Sequence, residues 1–141
     1  MGKKILLVDD DESIALSLEI LLRIEGYQIA KASNGRKALQ KIKIHELLGN
    51  PVSLIISDLN MPVMDGFELV EEVGEMGLEV PILVITASPN GREKGKLTEM
   101  GVTGIIEKPF MPDEIIRKVK EIFLLNEKRL CEKKLEKACL N

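Results

Sequence analysis

The strongest constraint on how this chain can fold is an alternation of short aliphatic runs with stretches of helical spacing. The runs fall at Lys4–Val8, Gln28–Ala32, Ser53–Ser57, Ile82–Thr86 and Gly104–Glu107. Three of them contain unbroken apolar tracts (ILLV, LII, ILVI), the pattern of strands covered on both faces of a parallel sheet. The other two are shorter or mixed, which suits sheet edges. Between the runs, apolar residues recur at helical spacing: Ile14, Leu18, Leu21 and Leu22; Ala38, Leu39 and Ile42; Phe67, Val70 and Val73; Leu97 and Met100; and Ile115, Ile116, Val119, Ile122 and Phe123. Five strand–helix pairs need right-handed crossovers, and they predict an open, doubly wound α/β sheet with helices on both faces. A chain of 141 residues makes one such domain, large enough to fold without a disulfide or structural metal.

In sheets of this kind the functional crevice lies beyond the carboxyl ends of the strands. The first strand runs into Asp9-Asp10-Asp11-Glu12, and the third into Asp58, with Asn60 and Asp65-Gly66 beyond. The fourth ends in Thr86-Ala87, and the fifth leads to Lys108-Pro109. Asp11 and Glu12 have a second reading as the cap and first turn of a helix. Asp9, Asp10 and Asp58 brought together would repel one another, and a hard cation with oxygen ligands, Mg²⁺, offsets that. Lys108 adds a positive charge and Thr86 a hydroxyl donor. These are the parts of phosphoryl transfer: a carboxylate nucleophile, a metal site, and donors for the developing charge.

The stretches KKILLVDDDES, LIISDLNMPVMDGFEL, PILVITAS and GVTGIIEKPF, in this order, resemble the receiver domain of two-component response regulators over residues 3 to about 124. The resemblance implies a flavodoxin-like (βα)₅ fold with strand order 2-1-3-4-5. It makes Asp58 the phosphoacceptor, Asp10 a direct Mg²⁺ ligand, Asp9 a ligand through water, and Asn60 a ligand through its backbone carbonyl. Lys108, beside a cis bond to Pro109, would pair with the phosphoryl oxygens, and Thr86 would act as the switch hydroxyl. It also implies a sensor histidine kinase or phosphotransfer protein as donor, and a downstream protein or an output domain as recipient. The protein is then a signalling module that catalyses its own aspartyl phosphorylation and dephosphorylation. One departure stands out: receivers often carry Tyr or Phe on the last strand where this chain has Ile105.

Other chemistries fit less well. Gly91 to Lys96 has three residues between its glycines where a P-loop has four, and Leu97 stands where Ser or Thr must reach the metal. Asp58 to Gly66 lacks the spacing of a calcium loop. His45 is the only histidine and reads as a surface residue. The alternative from another class is a haloacid-dehalogenase-like phosphatase with Asp9 as nucleophile, but only Asp113-Glu114 is left to supply its later acidic pair. The net charge of −3 and four aromatic residues argue against direct nucleic-acid binding. No apolar run approaches a membrane span, and the start lacks a signal-peptide core. Two cysteines eight residues apart suit a reducing, cytoplasmic setting.

Residues 126–141 carry five basic and three acidic side chains against 15 and 20 in the rest. We read residues 1–125 as the receiver and 126–141 as a C-terminal helical extension or linker. The thin stripe of Leu124, Cys131, Leu135 and Ala138 that runs into it is either a solvated, fraying end or a contact for a homodimer.

Overall fold

The computed structural model describes residues 2–87 and 90–140, the last of these for its backbone alone; Ser88, which ends the PILVITAS stretch, lies outside them. The elements alternate without exception: β1 (Lys4–Val8), α1 (Glu12–Ile24), β2 (Gln28–Ala32), α2 (Gly35–Leu47), β3 (Leu54–Asp58), α3 (Gly66–Glu75), β4 (Ile82–Thr86), α4 (Gly91–Glu99), β5 (Gly104–Glu107) and α5 (Pro112–Leu140). The five strands pair in parallel in the order β2-β1-β3-β4-β5. This is the flavodoxin-like topology that the resemblance implies. The mixed runs are the edge strands, and the continuous aliphatic ones fill the centre.

The period of two in a strand divides the core. Leu6 and Val8 of β1, Ile55 of β3 and Val84 of β4 point to one face, where Ala38, Ile42, Leu69, Val73 and Leu97 of α2, α3 and α4 cover them. Ile5, Leu7, Ile56, Leu83 and Ile85 point to the other, against Leu18 and Leu22 of α1 and Ile115, Val119 and Ile122 of α5. Ile105, where an aromatic residue is common in receivers, is half-buried and packs against the first of these clusters. β3 is displaced by one residue from the sequence expectation. Its ladder to β4 runs as far as the pair Asp58↔Ile85, so Asp58 ends the strand rather than following it.

Four helices begin at Asx caps. The side chains of Asp11, Asn34, Asp65 and Asn90 accept amide hydrogens from the first turns of α1, α2, α3 and α4, satisfying donors that a helix start leaves open. Asp11 accepts from Ser13 at 2.9 Å and Ile14 at 3.3 Å. Its helix-capping reading holds, and its carboxylate is engaged at the start of α1.

Val63, in the β3–α3 connection, has φ of 70°. A β-branched residue there brings its side chain against the backbone, at a cost of about 1–2 kcal/mol. The side chain is 70% exposed, so little packing offsets that cost. Val63→Asn should therefore stabilise the fold by about 1 kcal/mol, read as a melting temperature a few degrees higher. An unchanged or lower melting temperature would count against this strain.

Candidate functional site

The acids at the strand ends are joined by the sheet itself. Asp9 follows β1, and its amide donates to the Ala32 carbonyl at 3.1 Å, extending the β1–β2 ladder by one step. Its carboxylate is buried (8% exposed). One oxygen accepts the Asp11 amide at 2.9 Å, and the other lies 3.7 Å from Lys108 Nζ. Asp58, at the end of the neighbouring central strand, accepts the Leu59 amide through Oδ1 at 2.7 Å. Its Oδ2 lies 3.5 Å from the same Lys108 nitrogen. Asp10 is exposed beside them, and one carboxylate oxygen from each of Asp9, Asp10 and Asp58 falls within 4.8 Å of the others.

One lysine thus faces two of three clustered carboxylates, leaving a net deficit of positive charge in a partly desolvated crevice. Burial pushes the Asp9 carboxyl above its ordinary value, more than the Asp11 amide and Lys108 hold it down, and the charges of Asp58 and Asp10 add to the rise. The donor set is all oxygen and open to solvent at Asp10, which fits a hard divalent cation such as Mg²⁺.

Lys108 arrives from the opposite edge of the sheet. Its amide donates to the Thr86 carbonyl at 2.8 Å, and the bond to Pro109 is cis, as the resemblance implied. Thr86 is the buried last residue of β4 (2% exposed), one step beyond the residue paired with Asp58. Among the described residues no hydrogen bond links its hydroxyl to the carboxylates. Asn60 stands exposed two residues past Asp58. The fold therefore gathers Asp9, Asp10, Asp58 and Lys108 directly, and sets Thr86 and Asn60 on the adjoining strand and loop. His45 is half-buried near the C-terminal end of α2, its Nδ1 3.0 Å from Lys4 Nζ.

Gly66 was not among the sequence candidates. Its amide donates to the Leu59 carbonyl at 2.9 Å. A Cβ there would lie 2.5 Å from the Asp58 carbonyl oxygen and 2.9 Å from Leu59 Cα. The backbone carrying Asp58 is packed directly on the first residue of α3, and only a missing side chain permits that. The Asp-Gly pair after Met-Pro was the available signal. It reads equally well as an ordinary turn.

Comparison with known proteins gives one answer. Residues 5–120 match the family described as the response regulator receiver domain. Over 127 residues the chain is 36% identical to the alkaline phosphatase synthesis transcriptional regulatory protein PhoP of Bacillus subtilis, covering 90% of this chain and 51% of that protein. It is 34% identical to the transcriptional regulatory protein CpxR homolog of Haemophilus influenzae, covering 84% and 49%. The chain spans about half the length of these curated relatives. Among solved structures, Vibrio cholerae chemotaxis protein CheY4 superposes with a TM-score of 0.78 at 34% identity, covering 86% of this chain and 98% of that one. A CheY-like receiver from Methanospirillum hungatei gives 0.83 at 28% identity, covering 92% and 99%. Nothing in these matches supports the haloacid-dehalogenase-like alternative. The strand order, the crevice acids and these likenesses agree: the chain belongs to the response regulator receiver domain family, the switch modules of two-component signalling.

Proposed function

We propose that Asp58 is the phosphoacceptor of this receiver, with Lys108 and Thr86 as the groups that meet the phosphoryl oxygens. The observation that carries this reading is the position of the Asp58 carboxylate. One oxygen is held by the Leu59 amide, and the other faces Lys108 beside Asp9 and Asp10. An oxygen of Asp58 attacks phosphorus while the bond to the donor breaks, and the donor leaves with that electron pair. The donor is a phosphohistidine of a sensor kinase or phosphotransfer protein. Mg²⁺, held by Asp9, Asp10, Asp58 and the Asn60 carbonyl, would supply charge neutralisation for the phosphoryl oxygens.

The product carries up to about two negative charges where one carboxylate stood. Lys108 is already in ion-pair range and gains a stronger partner. Thr86, the last residue of the adjoining strand, supplies a hydroxyl donor to the new oxygens. Those differential contacts shift the population of the domain toward its signalling state. The recipient is a downstream protein or an output domain.

Metal removal tests the reading. Incubation with a radiolabelled small acyl phosphate should give a base-labile phosphoprotein in Mg²⁺ and none in excess EDTA. Labelling indifferent to EDTA, or none in either condition, would overturn it.

A further inference from the structure

Helix α5 changes the character of its inward side along its length. Up to Phe123 that side is apolar: Ile115, Val119, Ile122 and Phe123 are buried. Beyond it, the same side presents Arg129 and Lys133 to Glu79, in the connection between α3 and β4. Lys133 Nζ lies 3.0 and 3.1 Å from the two Glu79 oxygens, and Arg129 Nη2 lies 3.7 Å from one of them. The Lys133 hydrogen bond holds the Glu79 carboxyl below its ordinary value. Lys3 pairs with Glu127 in addition.

The aliphatic residues of this stretch are turned away. At about 100° per residue, Leu124, Cys131, Leu135 and Ala138 form one stripe roughly 145° round from the buried side. All four are exposed, Leu124 by 67% and Leu135 by 65%. A helix that shows its charges to its own domain and its leucines to solvent has a face built for something else.

The charges beside the stripe say what covers it. Glu127 and Lys134 lie along one edge, Glu132 along the other, and Lys128 within it. Two copies running parallel and in register would set Lys128 against Lys128 across the axis and Glu127 against Glu132, the latter repulsion repeated by symmetry. Running antiparallel, with Leu124 of one copy beside Leu135 of the second, they set Lys128 against Glu132 and Glu127 against Lys134. The twofold axis then doubles both attractions.

We infer that residues 124–138 pair antiparallel with the same segment of a second copy of this chain. The contact is independent of whether Asp58 accepts phosphate, because its residues lie outside the crevice.

The two native cysteines report the orientation. In the antiparallel register the two Cys131 residues are offset by about 3 Å along the axis and the two Cys139 residues by about 27 Å. In a parallel pair both sets are level. Sedimentation of the full chain should show its mass rising toward twice the monomer with concentration. Leu135→Lys, at an exposed position, should keep the same thermal melt while weakening association roughly a hundredfold, since each dimer loses two buried leucines. Under mild oxidation, Cys139→Ser, which keeps Cys131, should cross-link, and Cys131→Ser, which keeps Cys139, should not. A monomer at every concentration overturns the inference. So does a dimer that survives Leu135→Lys, or comparable cross-linking through Cys139.

Discussion

Asp58→Asn is expected to lose phosphoryl uptake by at least about a hundredfold, because an amide cannot serve as the nucleophile a carboxylate provides. The substitution is close to isosteric, and its side-chain oxygen can still accept the Leu59 amide that Asp58 accepts at 2.7 Å. It also removes one of three crowded negative charges. The variant should therefore melt no lower than the wild type, and lost labelling cannot be put down to lost fold. The measurement is incorporation of label in Mg²⁺ beside a thermal melt of each protein. Equal labelling of wild type and variant would move the acceptor elsewhere. Loss in Asp9→Asn with retention in Asp58→Asn would point to the first strand.

Gly66→Ala should have the largest effect on stability of any single methyl addition in the site. The new Cβ would sit 2.5 Å from the Asp58 carbonyl oxygen and 2.9 Å from Leu59 Cα. Both neighbours are backbone, so no side-chain rotation relieves the contact. Overpacking of this kind costs about 1–3 kcal/mol, and the upper end applies where the obstacle cannot turn aside. Chemical denaturation should show that loss, and labelling should slow as well, because the displaced segment carries the acceptor. Gly74, in the same helix, has nothing within 4 Å of its added Cβ. Gly74→Ala should be neutral or stabilising by up to about 1 kcal/mol. If the two variants behave alike, the close approach at Gly66 has no energetic weight.

Much of this fold could be read directly from the chain, because its central strands are buried on both faces. ILLV, LII and ILVI permit little else once helical spacing separates them, and the acids Asp9, Asp10 and Asp58 follow those runs closely enough to be placed at strand ends. The features that escaped are those set by residues distant in sequence. Gly66 is constrained by the backbone of Asp58, a contact that an Asp-Gly turn does not announce. The positive φ of Val63 contradicts what a β-branched residue prefers and is imposed by the loop's path between β3 and α3. The stripe on α5 was visible as spacing, but its direction was not. That required knowing that Glu79 draws Arg129 and Lys133 inward.

The crevice also bears on how the chain reaches this structure. Asp9 and Asp58 are far apart in sequence and meet only when β1 and β3 align, Val8 beside Ser57. Their repulsion is therefore absent from the unfolded chain and arises as the two middle strands come together. The receiver carries a pocket of local frustration at the centre of an otherwise mutually supportive sheet. The same unfavourable charge that makes the crevice receptive to a cation opposes the association of the strands that build it.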